Sequence, residues 1–580
     1  MDYLSFIFFY KNNKFIKKNK VWAGGEEMFN KMKDLGIYQQ IEYLTRHLIS
    51  MESCSEKGEI NKADWLIDFM KSFPYFQKNP QFLSSPIIEK DEYKRKNVFA
   101  FVKAPFPTKK TIIYFAHFDT VGTEDFGAIQ SIAHHPDKLA EYFSNYLHDQ
   151  EVMEDARSGD WLFGRGSLDM QSGVAVHLSN LLYFTEHLEE LNGNLLVMFN
   201  PDEESQHAGS RGALEHLIQF KQEHSLEFVA AINNDVVSPL YYSDSNKYIY
   251  TGTAGKLLPC FAIFGREAHV GESLSAIDPT IIASEINVRI NQNVDLVEQI
   301  DGELVLPPSC LYLRDDKKQY DVQTAISSRL YFNYFFYEKS PTQIMENLIG
   351  IAKDACIAFE ARQSENYKKF IKMNQLPKRD LGWFIEVTTL ENYIEYLSNK
   401  GILVDSEINR VLEEYKQTGV DDRDLAFNIV EALHQLDPEK KPRVIIFYAP
   451  PFLPSNYLDL GNERGMKIAG IIKNILEEEE LESGESFKLR KYFPYLSDGS
   501  FLSFNGSKED IHSLKRNFPA MDELFTMPLE MMKELSIPAI NVGVYGKGAH
   551  KWTERVFMPY SFGVLPKLIR RITNALLTDY

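Results

Sequence analysis

Acidic side chains and a histidine follow successive predicted strands of this 580-residue sequence. The members of the set are His117, Asp119, Asp169, Glu203, Glu204 and Asp235. Imidazole nitrogens and carboxylate oxygens are the ligands with which proteins bind Zn²⁺ and similar cations. Because residues i and i+2 of a strand share a face, His117 and Asp119 point into one crevice, where the acid orients the imidazole. The pattern predicts a metal site.

Each of these motifs also has an ordinary structural explanation when it is taken alone. A His-x-Asp pair is typical of a hydrogen-bonded turn, and adjacent acids such as Glu203 and Glu204 are usually solvated. The Gly-Arg-Gly-Ser stretch at residues 164–167 lacks the lysine and the spacing of a phosphate-binding P-loop. The occurrence of all these motifs in one order, each after a strand, favours a common site.

The segments that position these residues alternate between short apolar strands and helices. The predicted strands cover residues 97–103, 111–116, 194–199, 228–233 and 537–545, and the predicted helices between them cover residues 171–191 and 209–221. Wholly apolar strands that alternate with helices are typical of an α/β fold with a mixed, largely parallel sheet covered on both faces. In such sheets, sites form at the carboxyl ends of the strands.

After residue 250 the order of elements changes to βαββαβ, which predicts an inserted α+β lid domain over residues 251–390. Residues 391–440 are a predicted helical insertion, and residues 28–250 and 441–580 form the predicted catalytic domain. Residues 23–28 resemble a translated ribosome-binding site with a start at Met28, so we expect residues 1–27 to be a leader outside the fold.

The composition excludes several classes of partner. Sixty-three basic and 82 acidic residues give a net charge of −19, which repels phosphate backbones and anionic lipid, so neither nucleic acid nor a membrane is expected as a partner. The apolar run at residues 4–10 is too short to cross a bilayer. Four cysteines without a short spacing argue against disulfides and a cysteine zinc site, and they predict a cytoplasmic protein.

Five motifs together resemble the zinc aminoacylase, dipeptidase and desuccinylase superfamily of two-metal peptidases (clan MH). The motifs are HFDTVG, GRGSLDMQSG, NPDEES, GREAHVG and KGAHKWTE. The longer chain, with KYFPYLSDGS ahead of the C-terminal strand, resembles the RocB-type arginine-utilisation branch. The resemblance implies a zinc exopeptidase-like fold and two divalent metal ions, zinc first, with cobalt or manganese as alternatives.

The resemblance also implies a role for each site residue. The implied metal ligands are His117, Asp169, Glu204, Asp235 and His550. Asp169 would bridge both metals and Asp119 would orient His117, while Glu203 would be the general base. His269 in the lid would stabilise the oxyanion of the tetrahedral intermediate, unless it is an ordinary surface histidine.

Two departures from the superfamily concern the substrate. The lid strand lacks the arginine that binds a substrate carboxylate in many relatives, and Arg329 either substitutes for it or pairs on the surface. Residues 275–278 read Ser-Ala-Ile-Asp where relatives have Gly-x-Asn-Ala. Glu554 and Asp498 either support the ligands or cap helices.

We therefore expect a two-zinc hydrolase that cleaves a peptide or N-acyl amide bond of a small amino-acid derivative or short peptide, with arginine catabolism suggested by family analogy alone. Two alternatives stay open. One is a non-catalytic, metal-dependent binding or regulatory protein on the same scaffold, and the other is a structural α/β protein without metal. We also expect a homodimer through the lid, in which His269 would reach the neighbouring subunit's site.

Overall fold

The computed structural model describes residues 24–415, 418–493 and 498–579. Most of the expected leader lies outside these residues. The first described helix, Gly25–Met32, begins before Met28. A side chain at Gly25 would collide with the backbone of Asp68 and Phe69. Gly25 is therefore packed against the fold, whereas Glu26 and Glu27 are exposed, and the expected boundary at residue 28 stays a prediction.

An eight-stranded sheet carries the predicted ligands. In spatial order its strands are Leu83–Ser84, Val98–Val102, Asn194–Asn200, Lys110–His117, Glu227–Asn233, Ala539–Val542, Lys247–Tyr250 and Phe487–Arg490. The third to sixth strands in this order run parallel, as do the last two, and the remaining pairings are antiparallel. The predicted mixed, largely parallel α/β sheet is confirmed.

Both faces of this sheet are buried along its inner strands, which is why the middle of these strands is apolar. Successive side chains of a strand point to opposite faces, so Val98 packs in one core and Phe99 in the other. Ala208–Glu223 covers the face of Phe99. The helices that cover the opposite face are Ile37–Ser50, Glu56–Lys71, Gln171–Glu186, Glu463–Ser483 and Leu565–Asp579. Two-sided burial holds the strand ends, and with them the site, in fixed positions.

Shorter helices complete the layers. They are Pro74–Lys78, Pro136–Ser144, Gln150–Ser158, Lys508–Arg516, Met521–Leu524 and Leu529–Leu535. In the described ranges we find no helix that combines the length and hydropathy of a bilayer-crossing segment. The four cysteines carry free thiols.

A second sheet of five strands forms the predicted lid. In spatial order its strands are Ser309–Asp315, Ser327–Phe336, Gly255–Phe264, Arg443–Leu453 and Glu386–Thr389. Helices Pro279–Ile290 and Pro341–Met373 begin at the side-chain caps Asp278 and Ser340 and complete the predicted βαββαβ order.

The strand Arg443–Leu453 is an addition to that order. The sequence predicts it as the return to the catalytic domain, but it pairs antiparallel with Gly255–Phe264 and parallel with Glu386–Thr389 in the lid sheet. Its apolar pattern identifies a buried strand, yet the pattern is the same for either sheet. We therefore propose that the catalytic domain resumes after Leu453 and not at residue 441.

The predicted helical insertion forms a third layer of the lid. Helices Leu390–Asn399, Val404–Tyr415 and Asp422–Gln435 pack on the face of the five-stranded sheet that carries Cys260. The neighbouring Phe261 points to the other face, where the lid helices pack. The second sheet is therefore covered on both faces, like the first.

A two-stranded ribbon joins the two sheets. Gly252–Thr253 precedes one central strand of the lid sheet and pairs antiparallel with Asn456–Tyr457, which follows the other. Thr253 Oγ1 lies 2.8 Å from Ser500 Oγ, and Asn456 Nδ2 donates a hydrogen bond to the Gly499 carbonyl at 2.7 Å. The two crossings between the sheets are thus fastened side by side.

Candidate metal centre

The predicted ligands meet at one edge of the eight-stranded sheet. His117 is the last residue of its strand, and Glu204 and Asp235 follow the ends of its two neighbours. His550 lies in the loop beyond the fourth parallel strand, and Asp169 lies in the turn before the next helix. The carboxyl ends of parallel strands share an edge, so residues from distant parts of the chain converge there.

The carboxylate of Asp169 lies between two histidines. Its Oδ1 is 3.0 Å from His117 Nε2, and its Oδ2 is 3.2 Å from His550 Nε2. His550 Nε2 is also 3.1 Å from Glu204 Oε1. A carboxylate that directs one oxygen to each of two imidazoles is arranged like a ligand shared between two cations.

The pKa values of the carboxylates and histidines in this cluster indicate a site for cations. Burial raises the pKa of Asp235 to about 8, and the nearby Asp169 carboxylate adds to the shift. Burial also raises the pKa of Glu204. Hydrogen bonds to Asp169 and Glu204 raise the pKa of His550 to about 11. Divalent cations would supply the positive charge that these crowded carboxylates lack, so the donor set fits them.

Asp119 connects His117 with the loop that carries the acidic pair. Its Oδ1 lies 3.4 Å from His117 Nδ1. Its two carboxylate oxygens accept the backbone N–H groups of Glu203 and Glu204, each at 3.1 Å. This buried acid therefore fixes the imidazole and the acidic loop relative to each other, which suits the predicted orienting role.

Glu203 faces the same cavity but contacts other partners. Its Oε1 lies 3.9 Å from His207 Nδ1, which lies 3.6 Å from Asp498 Oδ1. Burial raises the pKa of Glu203 well above its ordinary value. A carboxylate that faces the cavity from outside the group of His117, Asp169 and Glu204 is placed to take a proton from water there.

Glu554 supports the turn that presents Asp169. Its Oε1 accepts the backbone N–H groups of Leu168 at 3.0 Å and Asp169 at 3.1 Å. Its Oε2 accepts a hydrogen bond from Arg165 Nη1 at 2.8 Å, and the pair is buried. Of the two sequence-based alternatives, support of a ligand is the one that these contacts favour.

Sequence reasoning missed two residues that hold the acidic loop. His207, beside Glu203, lies two residues after the NPDEES motif, so its position close behind the acidic pair was an available signal. Arg95 is buried and pairs with Asp202, which precedes Glu203 and has φ of 67°, and with Glu59 at 3.4 Å. Arg95 gave no signal, because Asp202 and Glu59 lie far from it in the sequence.

A cavity of about 630 Å³ lies over the ligands. The lid closes it from the opposite side with Lys256, Phe335 and Pro451. A second cavity of about 760 Å³ adjoins the first and shares Ser238, Gly548 and Lys551 with it. The metal-side cavity therefore lies between the two sheets, where both contribute side chains.

His269 and Arg329 are not among the residues that line this cavity. His269 is exposed on the lid, where its Nδ1 accepts a backbone N–H at 3.1 Å. Arg329 pairs with Glu431 at 2.8 Å and with Asp424 at 3.1 Å on the helical insertion. Arg329 thus fastens the insertion to the lid sheet, and the expected alternative of substitution for a substrate-binding arginine is not supported. The role of His269 stays a prediction.

Comparisons with known proteins agree with the motifs. Residues 147–446 match the family described as Peptidase family M20/M25/M40. The chain is 48% identical to protein RocB of Bacillus subtilis over 95% of this chain and 97% of RocB. It is 32% identical to Bacillus subtilis YqjN over 92% of this chain and 96% of YqjN.

Among solved structures, the Bacillus subtilis YXEP protein, described as a dinuclear metal binding peptidase from the M20 family, is 11% identical with a TM-score of 0.45, and the match covers 94% of this chain and 99% of that one. The resemblance inferred from the motifs is confirmed by the match to the family and to RocB. The chain belongs to peptidase family M20/M25/M40 and is a hydrolase of the metallopeptidase class.

Proposed function

We propose that the protein is a two-zinc hydrolase that cleaves the peptide or N-acyl amide bond of a small amino-acid derivative. The observation that carries the proposal is the Asp169 carboxylate, which reaches His117 with one oxygen and His550 with the other. Glu204 lies 3.1 Å from His550, so we assign it to the side of that histidine, and we assign Asp235 to the side of the other cation, as the resemblance of the motifs implies. Zinc ions held there would polarise the scissile carbonyl and activate water.

The chain's own residues supply proton transfer and positioning. Glu203 accepts a proton from the attacking water and returns it to the leaving nitrogen. Its neighbour His207, backed by Asp498, limits the positions that the Glu203 carboxylate can take. Asp119 holds the Glu203 backbone in register with His117. The lid side of the cavity excludes bulk water from the reacting bond.

The size of the cavity supports a small substrate. A volume of about 630 Å³ is that of a site for a small molecule or a short peptide. The arginine-utilisation resemblance of the motifs makes N-acylarginines and arginyl dipeptides the first compounds to test. The free thiols support a cytoplasmic location. Dimerisation through the lid, with exposed His269 acting in the partner's site, is part of the proposal, and sedimentation of the purified protein tests it.

A hydrolysis screen tests the proposed activity. Zinc-loaded protein is assayed on N-acetyl amino acids and dipeptides, with amine release measured before and after treatment with a chelator. We expect Glu203→Gln to retain zinc and to lose about 10²- to 10⁴-fold in kcat, because only the base is removed. The exposed acid Glu223, changed to glutamine, is the matched control.

Two results would contradict the proposal. Wild-type turnover in Glu203→Gln would remove this residue from the mechanism. Zinc-loaded protein that hydrolyses no member of the panel would favour the non-catalytic metal-binding alternative.

A further inference from the structure

Lys256 is a cationic residue on the lid side of the cavity that lies over the predicted metal ligands. It lies near the start of strand Gly255–Phe264 and is the cross-strand neighbour of Phe335. Neighbours in this register project from the same face of a sheet, and both side chains line the cavity opposite Asp169 and Glu203. The strand begins at the ribbon between the sheets, which keeps Lys256 close to the ligands.

The ammonium group of Lys256 lacks an anionic partner. Within the described parts of the chain, its Nζ makes no hydrogen bond or ion pair, although the residue is half-buried. Burial lowers the pKa of Lys256, and the nearby Arg423 guanidinium lowers it further. A partly desolvated charge without a partner is costly, and proteins normally pair such charges. The open side from which a partner can approach is the cavity.

The acids across the cavity do not provide this partner. Asp169 and Glu204 are engaged with the histidines of the cluster. They are also the residues that would hold the cations. An anion for Lys256 therefore has to come from a bound molecule.

Resting on the proposed function, we propose that Lys256 binds the free carboxylate of the substrate and selects acids over the corresponding amides. Arg329, the other positively charged lid residue considered for this role, forms ion pairs with Glu431 and Asp424. Lys551 also lines the cavity, but it is exposed on a loop, where water solvates its charge. A lysine is a point charge, so it recognises one carboxylate oxygen without the paired hydrogen bonds of an arginine.

The test compares an acid with its amide. N-acetylarginine and N-acetylargininamide are titrated calorimetrically into zinc-loaded Glu203→Gln protein with and without Lys256→Met, and the same pair is assayed with wild-type and Lys256→Met enzyme. We expect Lys256→Met to weaken binding of the acid about 10- to 100-fold, to raise its KM by a similar factor, and to leave kcat and amide binding nearly unchanged. Lys318→Met, exposed on a loop of the same sheet, is the matched control.

The outcomes separate this inference from the proposed function. Absence of turnover by wild-type enzyme on the whole panel refutes the proposed function, whereas the calorimetric preference for the acid still tests Lys256. Equal binding of acid and amide, or a loss on Lys256→Met that is the same for both compounds, overturns the assignment. A fall in kcat with an unchanged KM overturns it as well, because it would place Lys256 at the oxyanion and not at the carboxylate.

Discussion

Changing Glu554 to glutamine tests whether the turn that carries Asp169 depends on a buried carboxylate. Glutamine keeps one carbonyl oxygen, which can still accept the N–H groups of Leu168 and Asp169 that Glu554 accepts at 3.0 and 3.1 Å. The amide group that replaces Oε2 cannot accept the hydrogen bond from Arg165. The substitution therefore removes one buried ion pair and leaves the shape of the side chain nearly unchanged.

The size of the expected destabilisation depends on the partners that Arg165 retains after the substitution. Loss of one partner of a buried ion pair costs about 3–5 kcal/mol when the other charge is left alone. Arg165 keeps Asp125 at 2.7 Å and the Gly122 carbonyl at 2.9 Å. We therefore expect a loss of about 2–3 kcal/mol in the free energy of unfolding. Because Glu554 positions Asp169, we also expect zinc affinity to fall about 10- to 100-fold.

Urea denaturation and zinc titration against a competing chelator measure the two effects. The control is Glu477→Gln, since Glu477 and Lys473 are exposed and 3.9 Å apart, and such a pair contributes about 0–1 kcal/mol. Glu554→Gln protein with wild-type stability would refute the calculation for the ion pair. A destabilised variant with wild-type zinc affinity would refute the positioning of Asp169 through Glu554.

Two further predictions concern protonation. Zinc binding near pH 7 is expected to release protons, because the metal-free site holds them on Asp235, with a pKa of about 8, and on His550, with a pKa of about 11. Calorimetry in buffers of different ionisation enthalpy measures the release, and an affinity independent of pH would contradict it. Burial lowers the pKa of His177 from 6.5 to about 3. Between these two pH values the unfolded chain binds a proton that the folded chain does not, so the free energy of unfolding falls as the pH decreases. His177→Phe retains a ring against Tyr114 and should increase the free energy of unfolding by about 2 kcal/mol near pH 5. Urea denaturation at several pH values measures this change, with the exposed His148→Gln as the control. A pH dependence that His177→Phe leaves unchanged would refute the prediction.

The candidate ligands could be found from the sequence because their signals are local. His117, Glu204 and Asp235 each follow an apolar strand within a few residues, and parallel strands bring such positions to one edge of the sheet. Asp169 and His550 lie in short glycine-containing motifs that resemble those of the superfamily. The structure brings all five residues around one site, while their individual roles as metal ligands stay predictions.

The remaining features depend on contacts between distant segments. The apolar run of Arg443–Leu453 identifies a strand but carries no information on which sheet it joins. Arg329 pairs with Glu431, which lies far from it in the sequence, so this partner could not be predicted from neighbouring residues. Lys256 has no motif, because its importance arises only from a cavity that two domains form together.

The ribbon formed by Gly252–Thr253 and Asn456–Tyr457 restricts how the two sheets can move apart. Because its strands are hydrogen-bonded to each other, the two chain crossings lie on one line, and the central strand of ten residues that leaves it extends about 33 Å into the five-stranded sheet. A swing of about 10° would displace the far end, near His269, by about 6 Å over that length. Lys256, beside the pivot, would hardly shift. In such a rotation the end of the lid that carries Lys256 would stay almost in place, while the end near His269 would move.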